Sequence, residues 1–585
     1  MSESEPPGGD DGTKAEEARR SRRGFLRGAA VGIAGLAVGG IAGAEIASSN
    51  DRAAEHTSYG FTPLEPRTEP GFDHVVVVMF ENRSFDHVLG RLYSDSGPRA
   101  GQHFEGLQNG THSNVGPDGS VVEAHVYTGT TDEIMSQPNP DPGEFYPHVN
   151  TQLFGHIDPP SNADPAANGY SAPFNVPVDT SHPDMSGFIA DYVVNYKLER
   201  GLEPSPAEYS AVMGGFSPDM LPVFSTLARS FGVYDHWHAA VPSQTFCNRS
   251  FFHAGTSHGF VTNAQNGGFA KWLTAPATPT IFNRLEDAGI SWRVYYDEEQ
   301  VVSLTGMLSA PSIQKYWKSN FRGMAQFHKD AKDGNLPAYA FIEPRMVFDH
   351  NDMHPPHNQP QPPVTAGAEP YNSALSDMRA GEVLLAEVYT SIKEAASPKG
   401  SNAINTVLLL TFDEHGGIYD HVPPPTVIPP SGTEKPGEMG FTFNRLGVRV
   451  PTIVISAYTA AGSVINDSMH HGSLVKTLTQ LHGLRPLSYR DRDAKGIFSA
   501  VNLTRPRQPA LWPTVARPYV PKNPERHADK QTNEANHTRP LTSPAQGLLG
   551  LLLAKYEPDA PRPQTYADAY RILAKHGQNL FGVTD

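Results

Sequence analysis

The chain has 585 residues, more than the roughly 250–300 that usually share one hydrophobic core, so an elaborated core or an added domain is expected. Its formal charge of −16 at pH 7 argues against nucleic acid as a partner and against electrostatic adhesion to anionic membranes. A single cysteine, Cys247, excludes an intrachain disulfide bond. The 53 glycines and 53 prolines predict long, turn-rich connections in a globular protein.

The N-terminal residues have the features of an export signal. Arg22 and Arg23 precede an apolar, Gly/Ala-rich run from Gly28 to Ala44, which is short and weakly apolar for a membrane span of about 20 residues. We interpret residues 1–47 as a twin-arginine signal peptide and residues 48–72 as a linker. The twin-arginine translocase would then export a folded protein to a secreted, periplasmic or cell-envelope location. An uncleaved membrane anchor is the alternative.

The chain after the linker predicts strands that alternate with helices, which indicates an α/β fold with a mostly parallel sheet covered on both faces. Apolar runs predict strands at 74–80, 232–239, 291–297, 336–344, 405–412 and 448–456. Helical spacing predicts helices at 221–231, 280–289, 376–395, 545–556 and 566–582.

The remaining segments determine how the chain divides. Residues 92–185 are rich in Gly, Pro, Asn and Asp, which predicts long surface loops. We expect a catalytic domain over 73–502. Residues 503–585 form a C-terminal extension whose helices are expected to pack on the core.

Two predicted strands end in acidic clusters, Glu81-Asn82 and Asp413-Glu414. If the sheet is parallel, both clusters lie at the same edge, where α/β proteins bind ligands. Neighbouring carboxylates repel each other, so three of them with an amide oxygen predict a bound divalent cation. Oxygen ligands suit Mg²⁺, Ca²⁺ or Mn²⁺, and the pattern does not exclude Zn²⁺. For either cluster alone, a solvated loop with incidental charge is the alternative.

The segment 241–259 supplies a candidate nucleophile. Thr245 has a hydroxyl that becomes nucleophilic when a base or a metal lowers its pKa. Arg249 is suited to hold a phosphate oxygen, with a structural ion pair as the alternative. Cys247 is a rival nucleophile, but we interpret this lone thiol beside Phe246 as a packing residue.

These segments resemble the bacterial phosphoesterase family of phospholipases C and acid phosphatases, which belongs to the alkaline-phosphatase-like superfamily. The similar segments are ordered along 72–490: FDHVVVVMFENRSFDHVLG, SQTFCNR, DMHPPHN, SDMRAGE, TFDEHGGIYDHVPPP and MHHGSLVKTL. The resemblance implies a metal-assisted phosphoester hydrolase on a three-layer α/β/α sandwich. It further implies metal binding by Glu81, Asn82, Asp413 and Glu414, a phosphoenzyme on Thr245, and phosphate contact by His354. His471 matches a family histidine, and His415 and His421 would hold the metal-binding carboxylates in place.

The chain departs from the family pattern at two positions. The family commonly has proline where Cys247 stands, a change we expect a turn to tolerate. It often has a histidine where this chain has Glu144, and a carboxylate there would repel phosphate or require another cation. His148, four residues later, is a candidate substitute. The second departure bears on substrate specificity more than on metal chemistry.

The sequence thus predicts an exported, metal-dependent phosphoesterase in which Thr245 attacks phosphorus and a histidine protonates the leaving group. Phospholipase C activity is the first expectation for the substrate, with transient contact to a membrane surface. A phosphomonoesterase acting on small phosphoesters is the alternative. A sulfatase is disfavoured because CNRSF lacks the Cys/Ser-x-Pro-x-Arg frame. A non-enzymatic metal-binding surface protein would show broken ligand positions, whereas all four are present.

Overall fold

The computed structural model describes residues 64–362, 367–521 and 537–582. The predicted signal peptide and most of the predicted linker lie outside the described residues. Within the described ranges, no helix combines the length and the apolarity needed to cross a membrane.

An eight-stranded sheet forms the centre of the molecule. Its strands in chain order are β1 (His74–Phe80), β2 (Gly232–Tyr234), β3 (Trp292–Tyr296), β4 (Phe321–Gly323), β5 (Tyr339–Glu343), β6 (Thr406–Phe412), β7 (Thr452–Ile455) and β8 (Ser463–Ile465). Their order across the sheet is β8-β2-β7-β6-β1-β5-β3-β4. All neighbours are parallel except the two pairs that β7 forms with β6 and β2. The predicted mostly parallel sheet is therefore confirmed.

Helices connect these strands. The longer ones are α1 (Tyr146–Phe154), α2 (Phe188–Arg200), α3 (Pro222–Ser230), α4 (Thr245–Ala254), α5 (Ile281–Asp287), α6 (Met324–Asp333), α7 (Met378–Lys393), α8 (Gly472–His482), α9 (Ser543–Tyr556) and α10 (Tyr566–Ile572). Every side chain of β6 is buried, although successive residues of a strand point to opposite faces. Both faces of the central sheet are therefore covered, as in the α/β class.

Shorter elements lie in the connections. Helices of four or five residues are Phe85–Val88, Thr131–Met135, Pro165–Asn168, Pro206–Tyr209, Ala270–Thr274, Leu304–Leu308, Ala310–Ile313, Trp317–Asn320 and Tyr489–Asp493. Short strand pairs are Ser113–Val115 with Val121–Glu123, His125–Val126 with Gly214–Gly215, Asn358–Pro360 with Tyr371–Ser373, and Trp237–His238 with Met469–His470. The last pair shows that the single strand predicted over 232–239 is wrong, because β2 ends at Tyr234.

The prediction that residues 92–185 are surface loops is wrong for α1. Eight of the nine α1 side chains, Tyr146–Leu153, are buried. Some of them pack with α2 in a second hydrophobic cluster that also contains Tyr419 and Val448. Its polar side chains, such as His148 and Gln152, form buried hydrogen bonds instead of facing solvent, so the sequence lacks the periodicity that predicts an amphipathic helix.

The C-terminal helix α9 packs against the helix that carries Thr245. Leucines of α9 belong to the same hydrophobic cluster as β1 and β6. A Cβ atom on Gly547 would lie 2.8 Å from the ring of Phe246, and one on Gly550 would lie 2.2 Å from the ring of Phe269. These two glycines let α9 approach the aromatic rings closely. The division at residue 503 stays a prediction.

A buried network around Arg449 joins the loop after β6 to the short helix after β1. The Arg449 guanidinium donates to Asp420 at 2.8 Å and to Asp86 at 3.0 Å. The imidazole of His421 pairs with Asp86 at 2.7 Å and with Glu105 at 3.3 Å. Burial lowers the pKa of His421, but the hydrogen bond and the charge of Asp86 outweigh it, so the pKa lies above its ordinary value.

We expect His421 to make stability depend on pH. Because its folded-state pKa is raised, its contribution is fully present below the unfolded pKa of about 6.5 and is lost as pH rises through the folded value. His421→Gln should therefore lower the free energy of unfolding by about 2 kcal/mol at pH 5.5, the scale of a hydrogen bond to a charged group, and by less at pH 9. Urea unfolding of both proteins at the two pH values measures this. The exposed His182 provides the control substitution His182→Gln, and an equal loss at both pH values for His421→Gln would contradict the assignment.

Candidate active site

The pairing of β1 with β6 brings the two acidic clusters together. The strands are parallel, with Phe80 opposite Phe412, so the residues that follow them meet at one sheet edge. The backbone N–H groups of Asn82 and Glu414 both donate to Asp413 Oδ1, at 3.0 and 2.7 Å. The prediction that the clusters share an edge is confirmed.

Two glycines allow the turn after β6 to approach this edge. Gly416 and Gly417 have φ angles of +64° and +66°, which side chains with a Cβ atom rarely adopt. A Cβ atom on Gly416 would lie 2.3 Å from the carbonyl oxygen of Asn82, and one on Gly417 would lie 2.3 Å from that of Gly143. The Gly-Gly pair therefore sets the distance between the acidic turn and the segment that carries Glu144.

Thr245 begins α4 and points at Glu81. Its Oγ1 donates to Glu81 Oε2 at 3.1 Å, and Arg249, one turn later, donates through Nε to Glu81 Oε1 at 2.8 Å. Arg249 Nε also lies 3.8 Å from Asp413 Oδ2. Burial lowers the pKa of Arg249, but Glu81 and Asp413 outweigh it and raise the pKa, so the guanidinium stays charged. A hydroxyl at a helix N-terminus also lies at the positive end of the helix dipole.

Cys247 lies on the same helix but packs in the hydrophobic core. Its side chain is fully buried, and burial raises the pKa of the thiol. The thiolate that nucleophilic attack requires is therefore disfavoured.

Three buried oxygens at the sheet edge have no hydrogen-bond partner among the described residues: Asn82 Oδ1, Asp413 Oδ2 and Glu414 Oε1. Orphaned buried oxygens are costly unless a cation or water satisfies them. Three of the four predicted ligands thus fit a divalent cation. Glu81 differs from them, because Arg249 and Thr245 engage both of its carboxylate oxygens.

His354 and His471 both reach this edge as neutral imidazoles. Burial lowers the pKa of each to about 4. His354 donates from Nδ1 to the Pro355 carbonyl at 2.7 Å, so its Nε2 carries a lone pair, 3.0 Å from Asn82 Nδ2. His471 donates from Nε2 to the Asp413 carbonyl at 2.5 Å, which orients the acidic turn. These contacts do not support the expectation that a histidine protonates the leaving group.

His415 also supports the acidic turn directly. Its Nδ1 lies 3.2 Å from Glu414 Oε2, and its Nε2 pairs with Gln152 at 2.7 Å. His421 belongs to the Arg449 network, so the expectation that it holds the metal-binding carboxylates is wrong. The imidazole of His148 forms hydrogen bonds with Asp191 and Tyr170, each at 2.7 Å, and therefore does not take the position of Glu144.

Glu144 itself lies inside the site. Its carboxylate accepts hydrogen bonds from Asn82 Nδ2 at 2.5 Å and from Gln244 Nε2 at 3.0 Å. Burial and the charge of Glu414 raise its pKa to about 8. Asp141, three residues earlier, lies with its Oδ2 3.6 Å from His354 Nε2. Sequence reasoning missed Asp141, although the Asp-Pro-Gly-Glu turn that carries it was already notable for Glu144.

Comparisons with known proteins agree with this geometry. The sequence pattern of the Phosphoesterase family matches residues 72–485. Non-specific phospholipase C1 of Arabidopsis thaliana is 30% identical over 519 residues, which cover 84% of this chain and 83% of that protein. Non-specific phospholipase C4 of the same plant is 33% identical over 451 residues, covering 74% and 72%. Phospholipase C B of Mycobacterium tuberculosis is 25% identical over 513 residues, covering 80% and 85%.

The family match covers most of the chain, and the relatives are matched along most of their own length. The arrangement of Thr245, Glu81 and Arg249 at the sheet edge is consistent with both findings. The chain therefore belongs to the phosphoesterase family and is a hydrolase of phosphoester bonds.

Proposed function

We propose that this protein is a metal-dependent phospholipase C that works through a phosphothreonine intermediate on Thr245. The observation that carries the proposal is the contact of the Thr245 hydroxyl with Glu81 at 3.1 Å, beside the charged guanidinium of Arg249. A nucleophile, a proton acceptor and a phosphate-binding cation thereby lie within one buried edge of the sheet. The named relatives support a phospholipid as the substrate, since all three are phospholipases C.

The reaction begins with attack of Thr245 Oγ1 on phosphorus. The Oγ1–P bond forms as the bond from phosphorus to the leaving oxygen breaks, and the hydroxyl proton passes to Glu81 Oε2. The leaving alkoxide takes a proton from water. Arg249, whose terminal nitrogen Nη1 has no hydrogen-bond partner among the described residues, is available for a phosphoryl oxygen. Water then attacks phosphorus as the Oγ1–P bond breaks, one of its protons restores the Thr245 hydroxyl, and the proton held by Glu81 neutralises the hydroxide left from the first step.

Asn82, Asp413 and Glu414 would hold the metal ion through their orphaned oxygens, with Glu81 as a further ligand. When bound, a divalent ion neutralises charge on the phosphoryl group and lowers the pKa of a nearby hydroxyl. Asn82, with a φ of +56°, is held in a strained backbone conformation that aims its amide into the site.

A hydrolysis screen tests the substrate class. The purified protein should hydrolyse phosphatidylcholine to diacylglycerol and phosphocholine, lose the activity after exhaustive chelation, and regain it with a divalent metal ion. Aryl phosphate monoesters are the comparison substrates. Faster turnover of the monoesters would favour the phosphomonoesterase alternative. No turnover of any phosphoester in the metal-loaded protein would refute the proposal.

Substitutions on α4 test the nucleophile. Thr245→Ala should reduce kcat by several orders of magnitude because no covalent intermediate can form. Thr245→Ser keeps the hydroxyl and should retain part of the activity. Cys247→Ser is the matched control, since it changes a buried residue two positions away on the same helix and should leave kcat within a few-fold.

Acid-quench mass spectrometry provides a direct readout for the same series. Phosphate should appear on the peptide that contains Thr245 in the parent protein and be absent from Thr245→Ala. Near-parental turnover by Thr245→Ala, or a label on another peptide, would show that the assigned mechanism is wrong.

We further propose export by the twin-arginine translocase, supported by Arg22 and Arg23 ahead of a weakly apolar run. The substrate then lies outside the cytoplasm, and contact with a membrane surface would be transient. Replacing both arginines with lysine should trap the precursor in the cytoplasm, as measured by fractionation and immunoblotting. Arg19→Lys with Arg20→Lys, three positions earlier, is the control pair. Normal export of the Arg22→Lys, Arg23→Lys protein would exclude this route.

A further inference from the structure

We propose that Asp141, Glu144 and His354 form a second cation site, beside the one assigned to Glu81, Asn82, Asp413 and Glu414. One ligand atom from each of the three residues lies within 4.8 Å of the other two, and all three residues are buried. The two sets share no residue. They adjoin each other: Asn82 Nδ2 donates to Glu144 at 2.5 Å, and the carboxyl group of Glu144 interacts with that of Glu414.

Asp141 and His354 each offer a lone pair to this second cluster. Asp141 Oδ1 has no hydrogen-bond partner among the described residues, although the residue is only 4% exposed. His354 is fixed in the tautomer that a metal requires, because Nδ1 donates to the Pro355 carbonyl and leaves the Nε2 lone pair. Asn82 Nδ2 lies 3.0 Å from that lone pair, so a bound ion would replace this bond while Asn82 keeps its bond to Glu144.

The charges of the site leave room for two divalent ions. Six buried carboxyl groups lie at this edge, belonging to Glu81, Asp141, Glu144, Asp352, Asp413 and Glu414. Arg83 and Arg249 are the buried guanidinium groups facing them, so the six groups would carry four uncompensated negative charges if all were ionised. Burial raises the pKa of Glu81, Asp141, Glu144 and Glu414, so without ions protons supply part of the compensation. Two divalent ions would replace those protons and neutralise the four charges. Buried unpaired charge is too costly to leave uncompensated.

In the Arg449 network, an arginine instead of a metal ion compensates the same types of side chain. Asp86, Asp420 and His421 also offer three ligand atoms within 4.8 Å of one another. There, however, the Arg449 guanidinium donates to both carboxylates, at 3.0 and 2.8 Å, and supplies the positive charge. Among the described residues, no arginine or lysine donates a hydrogen bond to the Asp141 or Glu144 carboxylate. Arg562 acts on Glu144 only through its charge, from an exposed position on the C-terminal extension.

The ligand set indicates the class of cation. One imidazole with two carboxylates suits Zn²⁺ or Mn²⁺ better than Ca²⁺.

Metal content tests the proposal without reference to activity, so its outcome is separate from that of the proposed function. The mature protein, with every residue after the predicted signal peptide, is loaded with Zn²⁺ or with Mn²⁺ and dialysed against metal-free buffer. Its metal content is then measured by inductively coupled plasma mass spectrometry. The parent protein should hold two ions per chain, and Asp141→Asn and Glu144→Gln should each hold one. Asp413→Asn, which alters the other set, should also hold one.

Two control variants separate ligation from general charge. Glu199→Gln removes a negative charge from a neighbouring residue that pairs with His357 at 2.7 Å, and it should retain two ions. Arg562→Ala should also retain two. One ion in the parent protein, or two ions in both Asp141→Asn and Glu144→Gln, would overturn the proposal, as would an equal loss in Glu199→Gln.

Anomalous diffraction from crystals of the metal-loaded parent protein is a second measurement that needs no variant to fold. The expected result is a peak about 2.0–2.2 Å from ligand atoms of Asp141, Glu144 and His354, in addition to one at Asp413 and Glu414. A single peak at Asp413 and Glu414 would overturn the proposal.

Discussion

The site depends on the parallel pairing of β1 with β6. Both strands are buried on both faces, and their register places Phe80 opposite Phe412. A shift of one residue would turn every side chain of one strand to the other face, so the apolar cover of the sheet fixes the register. The positions of Glu81 and Asp413 follow from that register. The packing of valines and leucines therefore holds the carboxylates together against their mutual repulsion.

The histidines around this edge orient other groups, and the positive charge comes from elsewhere. Burial holds the pKa of His354, His415 and His471 near 4, so each is neutral at physiological pH. Each uses its ring nitrogens in hydrogen bonds that fix a carbonyl, an amide or a carboxylate. The guanidinium of Arg249, in contrast, stays charged beside Glu81 and Asp413. The 25 histidines of the chain are thus a weak guide to its catalytic groups.

The sequence was informative where a residue's role follows from local pattern. Unbroken apolar runs predicted β1 and β6, and polar residues directly after them marked the sheet edge. Helix α4 was missed because its polar residues, such as Thr245 and Arg249, are buried with its apolar ones, so no solvent-facing side marks it as a surface helix. Asp141 was missed because its role depends on His354, more than 200 positions away. The antiparallel β7 and the three-residue edge strands β4 and β8 are likewise set by tertiary contacts.

The fit of α9 against Phe246 has a consequence for the order in which the protein matures. Ribosomes make α9 after every strand of the sheet, yet Gly547 and Gly550 complete the cover of the rings of Phe246 and Phe269. Until α9 has been synthesised, the rings of Phe246 and Phe269 lack this part of their cover. The helix that carries Thr245 therefore gains the support of α9 only after every strand of the central sheet has been made.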